Sequence, residues 1–451
     1  MNFNFAVWMV PDTALTFVSI EALPLRPMTI YTFLGVFLTL ALLYCLDTAF
    51  HKILAHSLRH KREQLWRWIS GLHTILACIA AVLAVTLNFF DTTILNSNLI
   101  RLTVAFFFTI YISKAIGLLI GGLLQLPYWS KMALKIIHKR FRPLPVAHQP
   151  AMGPTMNRKA FLAKTTLLAT SAPFATLNFG ILNGVYDYQV HRLKIKLPNL
   201  PAAFKGFRLL QVSDIHVGGL YNKTAVTGGI EMALAEKPDL ICFTGDLVNA
   251  SPSEMREWVE VFSQLKAPLG TLAVLGNHDY GNYRKWHEWS AAFKAQKITQ
   301  MEQVHQALGW QLLLNQNHLI SQNKEHLAIV GIENWSANPR FPTYGHLSKA
   351  LEGTEQCANR ILLSHDPSHW DAQIRPEFPE IDLTLSGHTH GMQFGIEIGD
   401  FRWSPVQYLY KQWAGLYQEG AQQIYVNRGF GYVGFPGRVG ILPEITLLEL
   451  V

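Results

Sequence analysis

The chain has 451 residues, of which 49% are hydrophobic and 15% are charged, and its formal net charge is +7. This composition is too apolar for a disordered protein, and four cysteines without a CxxC pair exclude a disulfide-stapled scaffold. A soluble domain averages about 25% charged residues, so part of this chain is expected to lie in lipid.

The charge divides between two parts of the chain. Residues 1–184 hold 16 Lys and Arg against 5 Asp and Glu, a net of +11, whereas residues 185–451 hold 22 against 26, a net of −4. The positive charge therefore belongs to the more apolar part, which is typical of a membrane-topology signal. It gives no reason to expect nucleic acid as a partner, because the larger part is mildly acidic.

Four apolar runs in the first part predict transmembrane helices, because about 20 helical residues cross the hydrocarbon core of a bilayer. The runs are residues 28–50, 68–90, 102–124 and 161–185, and the fourth is weaker because it contains Lys164, Pro173 and Asn178. We therefore predict an all-α membrane region over residues 1–185 with three to four spanning helices. Lys114, near the middle of the third run, is either a functional intramembrane group or a lysine that faces the bundle interior.

Basic residues are concentrated in the loop after the first run and in the segment after the third run. The positive-inside rule places both segments in the cytoplasm and the amino terminus outside. If the fourth run also spans the membrane, everything after residue 185 lies outside the cytoplasm. We therefore expect a multi-pass membrane protein with an extracytoplasmic second part.

The second part alternates short apolar runs with longer amphipathic stretches, which predicts an α/β domain over residues 186–451. The predicted strands are residues 208–213, 240–244, 271–275, 327–332, 360–364 and 381–386, and a strand-rich end follows. The predicted helices are residues 225–237, 253–266 and 283–306. Residues 149–156 and 196–206 are the predicted linkers.

Polar side chains follow five of these strands, where open α/β sheets usually place their sites. They are Asp214 and His216, then Asp246, then Asn277, His278 and Asp279, then His365, and finally His388 and His390. Asp, Asn and neutral His together form a mixed oxygen and nitrogen donor set that suits Mn, Fe or Zn better than Ca. If the Asp-x-His and His-x-His segments are extended, both members of each pair point to the same side and can reach one site.

These five motifs, in this order, resemble the calcineurin-like metallophosphoesterase superfamily, whose motifs run D-x-H, G-D, G-N-H-D/E, H and G-H-x-H. SDIHVG at 213–218, VLGNHDY at 274–280 and GHTHGMQ at 387–393 are similar to the membrane-anchored bacterial branch of UDP-2,3-diacylglucosamine pyrophosphatase-like phosphoesterases. The tail from NRGFG at 427–431 to PEI at 443–445 is similar as well. Met392 and Asn249 depart from the branch, where Gly and Asp are common.

The resemblance implies a four-layer αββα sandwich after the transmembrane region, and two divalent metal ions (Mn, Fe or Zn) as cofactors. Asp214, His216, Asp246 and His390 would hold the first ion, and Asp246 as a bridge, Asn277, His365 and His388 would hold the second. Asp246 and His278 would be catalytic, with His278 stabilising the developing charge or protonating the leaving alkoxide. Asp279 would either orient His278 from behind the ligands or cap a turn.

The implied activity is metal-dependent hydrolysis of a phosphodiester or pyrophosphate, in which the metals lower the pKa of a shared water that attacks phosphorus as hydroxide. A lipid-linked substrate such as UDP-2,3-diacylglucosamine, of lipid A biosynthesis, is one candidate, although that nucleotide is cytoplasmic. Arg438, His369 and Trp335 are weaker candidates for substrate contacts, and Trp335 and Phe341 lie in a loop, residues 332–346, that could cover the substrate. The resemblance also implies the bacterial inner membrane as the location.

Two other classes of function stay open at this point. A non-catalytic, membrane-tethered binding module could reuse the fold, but such modules normally lose ligands, and all seven ligand positions are filled in this sequence. The second alternative is an accessory domain of a small transporter. Its support in the sequence is a single intramembrane lysine.

Overall fold

The computed structural model describes residues 30–58, 63–89, 98–141, 158–281, 290–399 and 401–451. It contains two compact units, Met1–Phe107 with Lys114–Leu168 and Phe108–Ser113 with Ala169–Val451. Several predictions lie outside the described residues: the start of the first apolar run, the last residue of the second, the basic residues 59, 61, 62 and 142, and the linker at 149–156.

Helices alone make up the first part of the described chain, and strands alternate with helices in the second. The helices are α1 (Ile30–Leu58), α2 (Glu63–Phe89), α3 (Asn98–Leu123), α4 (Leu126–Phe141), α5 (Arg158–Leu182), α6 (Lys223–Ala235), α7 (Val259–Phe262), α8 (Ala291–Leu308), α9 (Leu347–Ala350) and α10 (Arg375–Glu377). The strands are β1 (Gln189–Ile195), β2 (Arg208–Val212), β3 (Leu240–Phe243), β4 (Thr271–Ala273), β5 (Gln311–Leu312), β6 (Gln316–Gln322), β7 (Glu325–Gly331), β8 (Asn359–Leu363), β9 (Leu383–Ser386), β10 (Ile396–Ile398), β11 (Phe401–Trp403), β12 (Gly415–Glu419), β13 (Gln422–Val426) and β14 (Glu444–Leu450).

Four segments of the described helices are long and apolar enough to cross a membrane, judged by length and composition. They are Phe33–Ala55, Glu63–Leu87, Leu99–Leu134 and Ala160–Tyr186, which overlap the four predicted runs. Large apolar side chains such as Phe37, Leu42 and Leu72 are exposed on these helices, as is expected of surfaces that face lipid. The helices therefore support membrane association.

Lys114 is buried within the first unit, where its Nζ lies 2.6 Å from Asp47 Oδ1 and 3.3 Å from His73 Nε2. The lysine on α3 thus meets a carboxylate on α1 and an imidazole on α2. An ion pair of this kind removes much of the cost of a charge in hydrocarbon. Of the two predictions for Lys114, the structure favours the interior-facing one.

The second unit contains two six-stranded mixed sheets and a separate hairpin, β10–β11. The order of the first sheet is β1-β14-β2-β3-β4-β5, in which β2, β3, β4 and β5 run parallel. The order of the second sheet is β12-β13-β9-β8-β7-β6, in which β13, β9, β8 and β7 run parallel. Parallel neighbours bring the carboxyl ends of several strands to one edge of each sheet.

The sheets pack face to face, because successive strand residues point to opposite sides and both sides are apolar. Leu209 of β2 packs with Leu363 of β8 in the core between the sheets. Leu210, its neighbour, belongs to the core shared with α6, α7 and α8, and Leu362 belongs to the core shared with α9. The layers therefore follow the order helix, sheet, sheet, helix, which confirms the predicted αββα sandwich.

Two predicted helices differ from those observed. Residues 253–266 form a 3₁₀ helix, Pro252–Glu257, followed by the short α7, because Ser251 and Glu254 make a capping box that begins a tight turn. The predicted helix 283–306 begins at Ala291 in the described part, with the Ser290 side chain accepting a hydrogen bond from the Phe293 N–H. Its first residues, up to 289, are among those not described.

A buried polar cluster ties the two sheets together around Glu444 of β14. Its carboxylate accepts hydrogen bonds from Tyr425 Oη of β13 at 2.7 Å and from Arg428 Nη1 at 2.5 Å. The carboxylate is fully buried and the guanidinium nearly so, and Arg428 also pairs with Glu397 at 2.5 Å, so the charge of Glu444 depends on Arg428 more than the reverse.

We expect Glu444→Gln to lower the free energy of unfolding of the second unit by about 1.5–3 kcal/mol, because it removes a buried charge-assisted hydrogen bond and leaves Arg428 with Glu397 as its remaining carboxylate partner. The matched control is Glu449→Gln on the same strand, whose 3.7 Å pair with the exposed Lys194 contributes less than about 1 kcal/mol. Circular dichroism in a denaturant series on the detergent-solubilised chain measures both. Equal losses in the two variants would contradict a structural role for the cluster.

Candidate metal centre

The predicted ligands converge where the carboxyl ends of both sheets meet. Asp214 and His216 follow β2, Asp246 follows β3 and Asn277 follows β4, all in the first sheet. His365 follows β8, and His388 and His390 follow β9, all in the second sheet. Gln211 Nε2 of β2 donates to the Ser386 carbonyl of β9 at 2.9 Å, and this buried bond holds the two strand ends together.

One oxygen of Asp246 lies at the centre of the cluster. Asp246 Oδ2 is 3.5 Å from His216 Nε2 and 3.2 Å from His365 Nε2, so a histidine stands on each side of it. Asp214 Oδ1 lies 3.2 Å from His390 Nε2, and His388 Nδ1 lies 3.3 Å from His365 Nε2. A carboxylate flanked in this way is placed to bridge two cations.

The potential donor atoms fall into groups of three that lie within 4.8 Å of one another. The groups are Asp214 with His216 and His390, His216 with Asp246 and His278, and Asp246 with His365 and His388. Within the described part of the chain, the buried atoms His216 Nε2, His390 Nε2 and Asn277 Oδ1 make no hydrogen bond. Buried polar atoms rarely stay unsatisfied, so these three fit ligands of divalent cations.

The backbone at the ligands is left-handed and not extended, which corrects the local conformation expected from the sequence. The φ angles are 52° at Asp214, 48° at His216, 59° at Asp246, 69° at His388 and 50° at His390. Each non-glycine residue in this region costs about 1–3 kcal/mol, and such residues cluster at functional sites. The two members of each pair reach one site through tight turns.

Glycine is required where these turns approach one another. A Cβ atom at Gly387 would collide with Ser213 Oγ and Asp214 Oδ2, and one at Gly276 would collide with Asp246 Oδ1. The backbone can therefore pass directly beside the ligand carboxylates only because these positions have no side chain.

Hydrogen bonds behind the ligands fix the orientation of their rings. His365 Nδ1 lies 2.8 Å from the Thr244 carbonyl, and His388 Nε2 lies 2.9 Å from Tyr410 Oη. The Nδ1 of His365 is thus used by the backbone, while its Nε2 faces the Asp246 oxygen. Outer contacts of this kind set which nitrogen is available to a metal.

Of the two roles expected for Asp279, the contacts in the structure match the capping of a turn. Its carboxylate accepts hydrogen bonds from the backbone N–H groups of Asp246, Leu247 and Gly276 at 2.8–2.9 Å. The orienting contact for His278 comes from elsewhere, since its Nδ1 lies 2.6 Å from the Asn249 carbonyl. Asp279 therefore holds the loop that carries Asp246 and caps the turn at Gly276.

Neighbouring charge and burial shift the pKa values of two histidines in the cluster in opposite directions. Burial disfavours the charged form of His365, but the neighbouring Asp246 carboxylate outweighs it and raises the pKa of His365 to about 10. Burial dominates at His216 and holds its pKa well below the usual value. A divalent cation would replace the proton that Asp246 stabilises on His365.

The cluster opens into a cavity of about 560 Å³. Its floor includes His216, Asp246, Asn277, His278, His388 and His390, and its walls include Asn338, Arg340, Phe341, Met392, Leu409 and Tyr410. Met392, one of the two departures from the bacterial branch, has a φ of 55°, which explains why glycine suits this position. The other departure, Asn249, contributes its backbone carbonyl and so leaves the His278 contact intact.

The three predicted substrate contacts are not among the residues that line the cavity. Arg438 is 1% exposed and lies directly behind a ligand: its guanidinium donates to the backbone carbonyls of Arg428, Gly429 and Gly431, and its Nη2 lies 3.1 Å from His390 Nδ1. The two ring nitrogens of His369 lie 3.0 Å from Ser364 Oγ and 2.9 Å from Gln373 Oε1, and Trp335 stacks on its ring. Arg438 and His369 therefore make internal contacts, and the structure gives no support to their predicted role as substrate contacts.

Sequence reasoning named Phe341 in the loop 332–346 but missed Arg340 and Tyr410, which also line the cavity. Arg340 precedes Phe341 in the same loop, which was the one available signal for it. Phe341 packs edge-on against the His388 ring, with 4.7 Å between centroids. Tyr410 lies outside every motif, so only its contact with His388 identifies it.

We expect the purified full-length chain to bind two Mn²⁺ ions and Asp246→Ala to weaken this binding more than about 100-fold, since loss of even an outer contact costs about 10–100-fold. Isothermal titration calorimetry measures this directly. The control is Asp371→Ala, which removes a carboxylate on the surface turn Trp370–Ile374. Unchanged Mn²⁺ binding in Asp246→Ala would contradict the metal centre.

Comparison with known proteins agrees with the fold and the motifs. A family model described as "Calcineurin-like phosphoesterase" matches residues 207–392. "Uncharacterized metallophosphoesterase YkuE" of Bacillus subtilis is 30% identical over 302 residues, which is 65% of this chain and 98% of that protein. "Phosphodiesterase YaeI" of Escherichia coli is 28% identical over 300 residues, which is 66% of this chain and 100% of that protein.

A vertebrate relative is named as a transmembrane protein. "Transmembrane protein with metallophosphoesterase domain" of Danio rerio is 30% identical over 294 residues, or 64% of this chain. The chain covers 63% of that relative, which is less than two thirds of its length. With the family match and nearly full coverage of the Bacillus protein, these similarities show that the chain belongs to the calcineurin-like metallophosphoesterase family.

Proposed function

We propose that the chain is a membrane-tethered hydrolase of phosphodiesters that works with two divalent cations. The observation that carries the proposal is the placement of Asp246 Oδ2 between His216 and His365, with the other ligands arranged around it. Asp214, His216, Asp246 and His390 are assigned to one cation, and Asp246, Asn277, His365 and His388 to the other.

The charge of this ligand set favours an anionic substrate. Only Asp214 and Asp246 among the seven assigned ligands carry negative charge, whereas Asn277 and neutral histidines carry none. Two divalent cations would therefore leave a net positive charge at the cavity floor, which attracts a phosphoryl group. Arg340 adds a further positive charge at the cavity wall.

When bound, the cations supply the nucleophile by lowering the pKa of a water and neutralise the phosphoryl oxygens. The protein itself contributes orientation and a proton. His278 lines the cavity, and the contact of its Nδ1 with the Asn249 carbonyl at 2.6 Å orients its ring. We assign His278 to protonating the leaving alkoxide as the P–O bond breaks, which typically contributes about 10²–10⁴-fold.

The walls of the cavity favour a diester over a free phosphate. Phe341, Met392 and Leu409 present apolar surface next to the phosphoryl position, which suits an organic substituent on phosphorus. The Escherichia coli relative is named a phosphodiesterase. No contact in the described cavity selects UDP-2,3-diacylglucosamine among phosphoesters, so lipid A biosynthesis is not part of the proposal.

We expect the full-length chain with Mn²⁺ to hydrolyse bis-p-nitrophenyl phosphate and glycerophosphoglycerol. His278→Gln should lower kcat by about 10²–10⁴-fold on glycerophosphoglycerol, whose alkoxide needs a proton, and much less on the nitrophenyl ester. His346→Gln, at an exposed position, is the matched control. Equal losses on both esters would contradict the proton-donor role, and no turnover by the unaltered chain would contradict the proposed function.

We further propose that the chain lies in the bacterial inner membrane with its phosphoesterase unit outside the cytoplasm. The basic segments after the first and third helices support this orientation. Alkaline phosphatase fused after Val451 is active only outside the cytoplasm and should be active here. An inactive fusion, with fluorescence from a green fluorescent protein fusion at the same position, would contradict the orientation.

A further inference from the structure

The hairpin β10–β11 presents apolar side chains to the outside and charged side chains to the protein, which is the reverse of an ordinary surface hairpin. Its register pairs Ile396 with Trp403, Glu397 with Arg402 and Ile398 with Phe401. Ile398 is 72% exposed and Phe401 is 61% exposed, so the apolar pairs point outward. An exposed apolar face of this kind marks an interaction surface.

The charged pair of the hairpin, Glu397 and Arg402, forms hydrogen bonds with the rest of the protein. Glu397 accepts a hydrogen bond from Arg428 Nη2 at 2.5 Å, and Arg402 Nη1 donates to the Ala414 carbonyl at 2.7 Å. These contacts fix which face points outward, because turning the hairpin over would break both. The exposure of the apolar face is therefore built into the fold.

The apolar surface continues from the hairpin into the cavity. We call Met392, Phe394, Ile396, Ile398, Phe401, Tyr408 and Leu409 the apolar rim. Tyr408 and Leu409 are 76% and 71% exposed, and Met392 and Leu409 also line the cavity. A molecule bound at the cavity floor would therefore emerge along the rim.

The base of the rim is joined to a helix that is apolar enough to span a membrane. Phe394 forms a bridge with Val439, and Gly395 N–H donates to the Val439 carbonyl at 2.9 Å. The next residue back, Arg438, donates its N–H to the Gly180 carbonyl of α5 at 3.1 Å. Gly180 lies near the end of the candidate span Ala160–Tyr186, so the rim stands beside the point where this span ends.

The side chains at this junction suit a lipid surface. Phe179 and Leu182 of α5 are exposed in the same manner as the rim, so apolar surface continues from the helix. Tyr408 has the amphipathic ring found at membrane interfaces, and exposed Arg340 and Lys411 can pair with anionic headgroups. Continuity with a candidate span favours lipid over a second protein as the occupant.

We propose that the apolar rim docks on the bilayer and that the substrate is a phosphodiester of a membrane lipid, whose headgroup enters the cavity while its acyl chains stay in the membrane. This inference rests on the proposed phosphodiesterase function and adds the substrate class. Water oxygen forms the new bond to phosphorus, one P–O ester bond breaks, and the proton passes to the departing alkoxide. The products are a phosphomonoester and an alcohol, one of which stays in the bilayer.

The docking step is tested with a fluorescent label at Ile398→Cys in a full-length chain that carries Cys45→Ser and Cys78→Ser. The remaining cysteines, Cys242 and Cys357, are buried. In vesicles of phosphatidylethanolamine and phosphatidylglycerol with brominated acyl chains, we expect strong quenching of the label. A label at Leu319→Cys on β6, at the edge of the second sheet farthest from β12, should stay unquenched.

The substrate class is tested with the same vesicles without bromine. The unaltered chain should release phosphoester products from them, and Ile398→Ser with Phe401→Ser should lower this rate at least about tenfold, equivalent to about 1.4 kcal/mol. Turnover of bis-p-nitrophenyl phosphate should stay unchanged in that double variant. Leu269→Ser with Leu319→Ser, at exposed apolar positions outside the rim, should change neither rate.

Each result decides between the two proposals. Equal quenching at both labels, or equal lipid cleavage by the rim variant and the unaltered chain, overturns the docking surface. Cleavage of the nitrophenyl ester without release from vesicles overturns the lipid substrate and leaves the phosphodiesterase standing. Failure on both substrates overturns the phosphodiesterase itself. A rim label already shielded in lipid-free detergent, in a chain that sediments as a dimer, would identify a second copy as the occupant and overturn docking on lipid.

Discussion

The buried carboxylate of Asp246 is the constraint around which the phosphoesterase unit is organised. Its Oδ2 faces a histidine from each sheet, its Oδ1 accepts the His278 N–H at 2.8 Å, and its own N–H is held by Asp279. A carboxylate removed from water needs compensating donors or cations. The loops of both sheets must therefore close on this group for the unit to have a stable centre.

Two sheets are needed because neither provides enough ligands alone. The first sheet supplies the carboxylates and Asn277, and the second supplies three of the four histidines. The Gln211 bond to the Ser386 carbonyl and the Glu444 cluster lock the relative position of the strands that carry them. Precision at the site thus comes from buried polar contacts between sheets whose packing is otherwise apolar and adjustable.

The sequence predicted the sandwich and the convergence of the seven assigned ligand positions. Asp, Asn and His residues that directly follow predicted strands indicate both where the sheet edge lies and that the side chains there can bind metal ions. It did not predict the left-handed turns at Asp214 and His388, since tertiary packing imposes them against local preference. Tyr410 and the Asn249 carbonyl act through contacts distant in sequence, which no local pattern encodes. The internal contacts of Arg438 could not be predicted, because a buried arginine that binds carbonyls looks the same in sequence as one that binds phosphate.

The pairing of Asp47 with Lys114 affects the cost of inserting the candidate spanning helices into a bilayer. Each residue alone in the centre of a spanning helix costs about 2.5–3.5 kcal/mol on insertion scales, whereas the pair at 2.6 Å is largely neutralised. The first helix emerges from the ribosome well before its partner, which lies 67 residues later. If both helices cross the bilayer, the cost of burying Asp47 falls only once the third helix brings Lys114 beside it, so insertion of the two as a pair costs less than insertion of each alone.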